Sequence, residues 1–281
     1  MTRPAPRSEA AHRGSRMTTR EIFGVDKALV GMIHLLPLPG SPMGCDSLQE
    51  VIDRASREAE MLRNAGFDSL LIENTHDRPY MRRHVGPEVV AAMTAVARVI
   101  RTDHEAPLGI QVLAGDNRAA ISVALACNAQ YIRAEGFVFA SVADEGIFED
   151  ADAGPLLRYR RQIDAEHIAI LADIQKKHSS HAITSDCDTW DHACAADYCL
   201  ADGLVLTGKT TGSSIRTGDL ESARKAVQLP LCVGSGVTAQ SAPNLFDNAD
   251  ALIVGSALKR KGDWRNEMEP GLLERFEHVR P

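Results

Sequence analysis

Eight short apolar runs recur along this chain from residue 28 onward, and each is followed by a polar loop and then an amphipathic stretch. This alternation is typical of parallel strands joined by helices, because neighbouring parallel strands need a long crossover connection. Eight strands is the number that closes a (β/α)8 TIM barrel, so we predict a single barrel of that class. A doubly wound sheet gives similar local signals and is the alternative fold. The predicted strands are Leu29–His34, Ser69–Glu73, Leu108–Leu113, Gln130–Glu135, Ile168–Ile174, Gly203–Thr207, Leu231–Gly234 and Ala251–Gly255.

The segments between these strands carry helical periodicity. Apolar residues recur every three or four positions over Leu48–Asn64, and Gly66 provides a stop. Similar spacing predicts helices over Pro87–Arg101 and Ala119–Cys127. The start of the chain is rich in Arg, Ala and Pro and shows no apolar period. We therefore expect a disordered tail over residues 1–17 and one barrel domain over residues 18–281.

Composition excludes several classes of partner. The chain carries 31 basic and 38 acidic residues, a net charge of −7, so it lacks the basic footprint of a nucleic-acid-binding protein. Its longest apolar runs fall far below the roughly 20 residues that a membrane helix requires. Its six cysteines form no CxxC pair, which indicates reduced thiols. We expect a cytoplasmic protein without a nucleic-acid partner or stable membrane insertion.

The first strand ends in a histidine, His34, and the chain then breaks on Pro37, Pro39 and Pro42. A strand that delivers a polar side chain to a stiff, irregular loop is a common way to build an active site. A lone histidine is weak evidence by itself, so a core strand with one satisfied histidine is the alternative.

Polar or ionisable residues end most of the other predicted strands as well. In a barrel these positions form the C-terminal mouth, where the chemistry gathers, and packing does not account for so many costly charged groups. Each residue taken singly has a structural alternative, such as an ion pair between Arg133 and Glu135. The predicted catalytic residues are His34, Glu73, Asp173, Lys177 and His178, and the predicted substrate-binding residues are Asn74, Gln111, Arg133, Glu135 and Thr207.

Glycines at the exits of the last two strands predict a phosphate site. They allow backbone N–H groups to approach a ligand, and the short helix begun by Ser256 would point its positive end at the same place. Tight strand-to-helix turns are the alternative use of such glycines. The run Thr207 to Gly212 adds hydroxyls and a flexible backbone that would complete an anion nest. The predicted phosphate-binding residues are Gly208, Gly234, Ser235, Gly236, Gly255 and Ser256.

Lys177 has two candidate roles at this mouth. It would either stabilise an enolate as a cation or attack a carbonyl as a nucleophile, and the second role needs a lowered pKa. Strand alternation places Asp173, Gln175 and Lys177 on one side, and a neighbouring carboxylate raises the pKa of a lysine. The pattern therefore favours the electrostatic role.

The run GMIHLLPLPGSP strongly resembles the opening motif of the BtpA family. Further matching stretches are LLIENTHDRPY, PLGIQVLAGD, YIRAEGF, residues 144–160, ADIQKKHS and GLVLTGKTTG, so the resemblance extends over nearly the whole chain after Met17. It implies a TIM barrel of the ribulose-phosphate-binding type, with a phosphorylated ligand. One departure lies after the third strand, where Ala114, Gly115 and Asp116 stand in place of an expected Arg-Asn-Asp-like loop, and this puts a shared substrate contact in doubt.

Two functions of different classes follow. The ionisable mouth favours a metabolic enzyme for a small phosphorylated sugar or related carbonyl metabolite, working by isomerisation, epimerisation or aldol-type cleavage. Glu73 or His34 would be the base. The family resemblance implies the alternative, a non-catalytic assembly or stability factor for a membrane protein complex such as photosystem I. We predict a homo-oligomer and no dedicated metal ligands, although Glu73, Asp77, Glu135 and Asp173 leave Mg²⁺ open as a cofactor.

Overall fold

The computed structural model describes residues 17–45, 47–208 and 214–279. Eight parallel strands in chain order form a closed barrel, with the last strand paired to the first. The TIM barrel predicted from the alternation of apolar runs is thus confirmed. The barrel strands, numbered below as first to eighth, are Ala28–His34, Ser69–Glu73, Leu108–Gln111, Tyr131–Ala134, Ala169–Ile174, Gly203–Leu206, Leu231–Val233 and Ala251–Val254.

The predicted strands differ from the observed ones mainly at their ends. The third strand stops at Gln111 rather than Leu113, because the N–H of Leu113 donates to the side-chain oxygen of Asn74 at 2.7 Å. That bond takes the backbone out of the sheet ladder. The sixth strand likewise ends at Leu206, before Thr207.

Strand alternation divides the core into two layers. On the first strand Val30 and Met32 belong to the interior of the barrel, whereas Leu29 and Ile33 pack outward beneath the helices. All seven residues of this strand are buried, as expected for a parallel sheet covered on its outer face. The inward positions of successive strands therefore lie above one another and lead up to the mouth.

Helices alternate with the strands around the barrel. The helix Leu48–Asn64 matches its predicted bounds, begins at the N-cap Ser47 and buries Val51, Ala55, Ala59 and Leu62. The predicted helices over 87–101 and 119–127 are also present, with bounds Pro87–Asp103 and Asn117–Cys127. The other α-helices are Thr19–Phe23, Ala153–Gln162, Thr189–Tyr198, Thr217–Ala226, Ala242–Leu245 and Pro270–Leu273.

A short helix, Thr19–Phe23, closes the N-terminal end of the barrel. Its Ile22 and Phe23 are buried in the inner layer, and Met17 is half-buried against them. Met17 therefore packs onto the folded domain rather than belonging to the tail assigned to residues 1–17. Residues 1–16, for which disorder was predicted, lie outside the described residues.

A small antiparallel sheet stands at the mouth and was not predicted. It pairs Ser141–Ala143 with Gly146–Phe148 on one side and with Ser179–Ser180 on the other. Its hairpin lies between the fourth barrel strand and the following helix, and the two-residue strand follows the fifth. Runs of two or three residues are too short for their alternation to stand out from loop sequence.

All six cysteines are free thiols in the structure, as the absence of CxxC pairs predicts. None of the helices within the described ranges is long and apolar enough to cross a membrane.

Candidate active site

Register places three predicted site residues in one row. His34 pairs with Glu73 across the first two strands, and Glu73 pairs with Gln111 across the next two. Each of the three continues the inward alternation of its strand, and all are at least nine-tenths buried. The strand ends of the sequence therefore deliver neighbouring polar side chains to one edge of the barrel mouth.

A cavity of about 430 Å³ opens at this mouth. Its volume falls within the range of small-molecule sites. Side chains from the C-terminal ends of the first five strands and the loops after them form one part of its wall, and backbone-rich loops after the last two strands form another. The wall includes the predicted site residues His34, Glu73, Gln111, Arg133, Glu135, Lys177, His178, Gly234, Ser235, Gly236, Gly255 and Ser256.

Asp173 does not line this cavity. Its fully buried carboxylate receives Nε of Arg133 at 3.0 Å and Nη2 at 3.1 Å. Burial acts to lower the pKa of Arg133, but this carboxylate outweighs it, so the pKa of Arg133 rises. The predicted catalytic role of Asp173 and the alternative pairing of Arg133 with Glu135 are therefore corrected: Asp173 fixes the guanidinium that reaches the cavity.

Glu135 is held by two neighbours in the cavity wall. Gln111 donates Nε2 to Glu135 Oε1 at 3.2 Å, and Lys176 donates Nζ to Oε2 at 3.0 Å. Because a carboxylate only accepts, the Gln111 amide must present its nitrogen to Glu135. Both carboxylate oxygens of Glu135 are thus engaged, which suits a structural wall group better than a base.

Glu73 keeps one oxygen available. Thr75 donates its hydroxyl to Glu73 Oε1 at 2.7 Å, and Tyr80 donates to the backbone oxygen of Thr75 at 2.6 Å. Burial first, and then the charge of Glu73, raise the pKa of Tyr80, so its hydroxyl stays a donor. Glu73 is therefore oriented by a hydrogen-bonded chain while Oε2 is left for a ligand.

Lys177 is half-buried at the cavity wall. Its backbone N–H donates to Thr207 Oγ1 at 3.1 Å, and its ammonium group has no partner among the described residues. Burial first, and then the Arg133 guanidinium, lower the pKa of Lys177 below its ordinary value. The predicted rise of this pKa is wrong, because burial and Arg133 outweigh the neighbouring carboxylates, and the positive φ of Gln175 breaks the strand alternation.

The two predicted catalytic histidines differ in their surroundings. His34 is 8% exposed, and burial, Lys259 and Lys177 hold its pKa well below the ordinary value. His178 lies exposed at the rim with a positive φ, and burial of part of its ring together with Lys177 lowers its pKa. Both shifts weaken these rings as proton acceptors, which leaves Glu73 as the better candidate base.

The exits of the seventh and eighth strands form the backbone-rich wall. The N–H groups of Gly236, Val237, Ser256 and Ala257 make no hydrogen bond within the described ranges. Gly236 has a φ of +67°, which favours glycine at this turn. The predicted helix after Gly255 is only a three-residue 3₁₀ turn, Ser256–Leu258, so the unpaired N–H groups rather than a helix dipole would attract an anion.

Three further predicted residues lie behind the cavity. Asn74 bonds Leu113 through its side chain, and the N–H of Gly208 donates to Ser235 Oγ at 2.7 Å. Thr207 receives the N–H of Lys177. These residues position the loops instead of lining the cavity, and the rest of the predicted anion nest, Lys209 to Gly212, lies outside the described residues.

The carboxylates considered for Mg²⁺ do not converge. Asp173 is paired with Arg133, while Asp77 accepts the N–H of Leu38 at 2.7 Å on a loop away from Glu135. No group of three or more His, Cys, Asp or Glu side chains that suits a metal ion occurs in the described part of the chain.

Several residues of the cavity wall were not predicted from the sequence. Thr75 and Tyr80 lie beyond the second strand, Lys176 lies next to the predicted lysine, and Trp264 comes from the loop after the eighth strand. Trp264 stands 4.9 Å from the His76 ring and carries the Arg78 guanidinium 5.2 Å from its centroid. The motif LLIENTHDRPY contains Thr75 and Tyr80, so its polar continuation past the strand was the available signal.

Comparison with known proteins shows which family the whole chain is similar to. A model described as the BtpA family matches residues 25–278. A protein of Caenorhabditis elegans described as "Uncharacterized protein F13E9.13, mitochondrial" is 38% identical over 271 residues, covering 94% of this chain and 97% of the relative. The photosystem I biogenesis protein BtpA of Synechocystis is 35% identical over 262 residues, covering 91% of this chain and 88% of its own.

Solved structures support the fold from an independent direction. A 3-hexulose-6-phosphate synthase superposes with a TM-score of 0.55 at 14% identity, covering 90% of this chain and 99% of its own. The thiamine phosphate pyrophosphorylase from Pyrococcus furiosus gives a TM-score of 0.56 at 12% identity, covering 93% and 96%. At such low identity the likeness shows the barrel fold alone.

Proposed function

The chain belongs to the BtpA family, and we propose that it is an enzyme acting on a small phosphorylated carbonyl metabolite. The observation that carries the proposal is the ammonium of Lys177, which has no hydrogen-bond or ion-pair partner among the described residues and lies at a cavity that also exposes the backbone N–H groups of Gly236 and Ser256, unpaired within the same ranges. A half-buried cation whose pKa is lowered by burial gains from a ligand that supplies negative charge.

The proposed reaction begins with proton abstraction next to the carbonyl group. Glu73 would take the proton through its free oxygen, while Thr75 keeps the carboxylate in place. Lys177 and Arg133 would stabilise the negative charge that develops on the carbonyl oxygen. Isomerases, epimerases and aldol-type lyases share this step, so the geometry supports the reaction class rather than one member of it.

The phosphate group would sit against the loops of the seventh and eighth strands. Gly234 has no room for a side chain, since a Cβ there would stand 2.6 Å from Val205 Cγ1, and its own N–H donates to the Leu206 oxygen at 2.8 Å, so the N–H groups of Gly236 and Ser256 would bind the anion. The names of two structurally similar proteins include a phosphorylated compound, which agrees with an anion at this edge. Cytoplasmic location and homo-oligomer formation stay predictions.

A panel of sugar phosphates in a thermal-shift assay tests the binding part. A ligand present at 100 times its Kd should stabilise the protein by about 2.7 kcal/mol. Replacing Ser235 and Ser256 by glutamate should abolish the shift through charge repulsion. An unchanged shift in that double variant, or no shift with any phosphate, would remove the phosphate site from the proposal.

Catalysis is tested with the variants Glu73→Gln and Lys177→Met once a sugar phosphate that binds has been found. Loss of a base or of an oxyanion-stabilising group should lower kcat by about 100-fold or more. Lys225→Met, on an exposed helix face, is the matched control. Full activity in both site variants would refute the proposed mechanism.

A second candidate function is docking to a partner protein as an assembly factor. Val142 and Ile147 are register partners on the small sheet and are 42% and 50% exposed, and Ile183 nearby is 64% exposed. Exposed apolar side chains grouped at one end of a barrel favour a contact surface. Co-sedimentation with membranes that survives salt but is lost in Val142→Ser/Ile147→Ser would support this role over catalysis.

A further inference from the structure

The two ring nitrogens of His34 have different surroundings. Nδ1 is buried and has no hydrogen-bond partner in the ranges that the structure describes. Nε2 lies beside Gly255, where a Cβ would stand 3.3 Å from it. Because Gly255 lines the cavity, Nε2 is the ring nitrogen on the cavity side.

This difference selects one tautomer of the neutral ring. A neutral imidazole carries a single N–H, and a buried N–H without an acceptor is rarely tolerated. On Nδ1 the proton would have no acceptor, whereas on Nε2 it faces a cavity that water or a ligand can fill. The geometry therefore places the hydrogen on Nε2.

The surroundings also oppose a second proton on His34. Around the ring, Lys259 follows the eighth strand, Lys177 follows the fifth, and both act with burial to lower its pKa. Glu73 is its register partner and has one oxygen bonded to Thr75, but burial and the two lysines outweigh this carboxylate. The remaining charged or titratable groups near the ring are His76, Arg54 and Glu58, of which Arg54 and Glu58 pair at 3.4 Å while Glu58 also accepts Lys259 Nζ at 2.6 Å.

We infer that His34 is a neutral hydrogen-bond donor that positions the bound anion through Nε2–H and does not transfer a proton. This role rests on the proposed function, since the anion is the phosphate of the proposed substrate. The N–H would join the unpaired backbone N–H groups of Ser256 and Ala257 around one anionic oxygen. A neutral ring serves here because Lys177 already supplies positive charge to the same cavity.

The protonation state can be read without any ligand. Long-range ¹H–¹⁵N NMR spectra of the histidine-labelled protein should show His34 as the neutral Nε2–H tautomer at pH 5.5, with His34→Gln used to assign its signals. A protonated ring at pH 5.5, or a proton on Nδ1, would overturn the inference even if the protein binds phosphate.

Sulfate binding tests the donor role, because the charge of sulfate does not change between pH 5.5 and 8. His34→Leu should weaken sulfate about tenfold or more, whereas His34→Gln, which restores an N–H donor, should recover most of the affinity. The ratio of wild-type to His34→Gln affinity should stay constant over this pH range. His167→Gln, at the exposed opposite end of the barrel, is the control.

Three outcomes of that titration contradict the inference. Equal sulfate affinity in wild type and His34→Leu would mean that His34 does not contact the anion. A ratio that grows as the pH falls would mean that His34 binds as a cation. Absence of sulfate binding in the wild type would remove the phosphate site of the proposed function together with the donor role, while the NMR result would still decide the charge of His34.

Discussion

The two parts of the barrel mouth bind with different atoms. The C-terminal ends of the first five strands and the loops after them, here called the charged half, present side chains such as Glu73, Arg133 and Lys177. The loops after the seventh and eighth strands, here called the glycine half, present mostly backbone around Gly234 and Gly255. Side chains in the first half can change charge and take part in chemistry, whereas backbone N–H groups in the second are fixed donors that suit an unreactive phosphate.

This division predicts opposite failure modes. In the charged half, replacing Arg133 removes one member of an ion pair and leaves Asp173 buried without compensation. In the glycine half, a substitution adds atoms where there is no room for them. The Arg133 substitution should cost mainly folding stability, whereas a substitution in the glycine half should cost less stability and should also abolish ligand binding.

The largest effect is expected from Arg133→Met in the charged half. The carboxylate of Asp173 is fully buried and receives three hydrogen bonds from Arg133 alone. Removing one partner of a buried ion pair should lower the free energy of unfolding by about 3–5 kcal/mol. Urea denaturation monitored by circular dichroism measures this loss.

The double variant Arg133→Met/Asp173→Leu is the control for that measurement. It removes both charges and should recover most of the lost stability, since replacing a whole buried pair by apolar groups is often close to neutral. If the double variant is no more stable than Arg133→Met alone, the loss comes from packing, and the charged half does not depend on pairing.

A smaller effect on stability is expected from Gly234→Ala in the glycine half. The new Cβ would meet Val205 Cγ1 at 2.6 Å and Arg133 Nη2 at 3.2 Å. Overpacking of this kind costs about 1–3 kcal/mol. The thermal shift produced by a sugar phosphate should also be lost, because the added methyl group displaces Arg133 at the edge of the anion site.

Gly218→Ala provides the matched control, since a Cβ at this helical glycine meets nothing within 4 Å. It should leave binding unchanged and raise stability by about 0.5–1 kcal/mol. If Gly234→Ala binds sugar phosphates as well as Gly218→Ala does, close backbone approach is not what the glycine half provides.

The barrel could be predicted because its determinants are local. The spacing of apolar residues, every second residue in strands and about every 3.6 residues in helices, can be read directly from the sequence. The run Leu48–Asn64 showed both the apolar stripe of a helix and a glycine at its end. The predicted ends of the strands also gave the positions of His34, Glu73 and Gln111. Consecutive strands of the barrel are neighbours, so residues at their ends pair with one another.

The pairing of charges could not be predicted in the same way. Whether Arg133 bonds Glu135 or Asp173 depends on how far the side chains reach between neighbouring strands. The sequence pattern is compatible with both pairings. The direction of the Lys177 pKa shift was mispredicted because it depends first on burial and then on the approach of Arg133, neither of which can be read from the sequence pattern. Trp264 was missed because irregular loops carry no period.

The smallest expected effect is the pH dependence of folding stability that His76, beside the charged half, causes. Burial first, and then Arg54 and Arg78, lower its pKa from 6.5 to about 4. The unfolded chain therefore takes up a proton below pH 6.5 that the folded protein refuses until about pH 4. This histidine contributes stability above pH 6.5, and the contribution is lost as the pH falls toward its folded value.

Wild type should accordingly lose stability between pH 7 and pH 5, and His76→Gln should lose about 1 kcal/mol less, a figure reduced from the full linkage value because the ring is partly exposed. Urea unfolding at the two pH values measures the difference, with His167→Gln as the exposed control. Equal losses in wild type and His76→Gln would show that neither burial nor the charges of Arg54 and Arg78 oppose protonation of this ring. The described cavity-lining residues of the glycine half include no titratable group. Substitutions there should therefore leave the change of stability with pH unaltered.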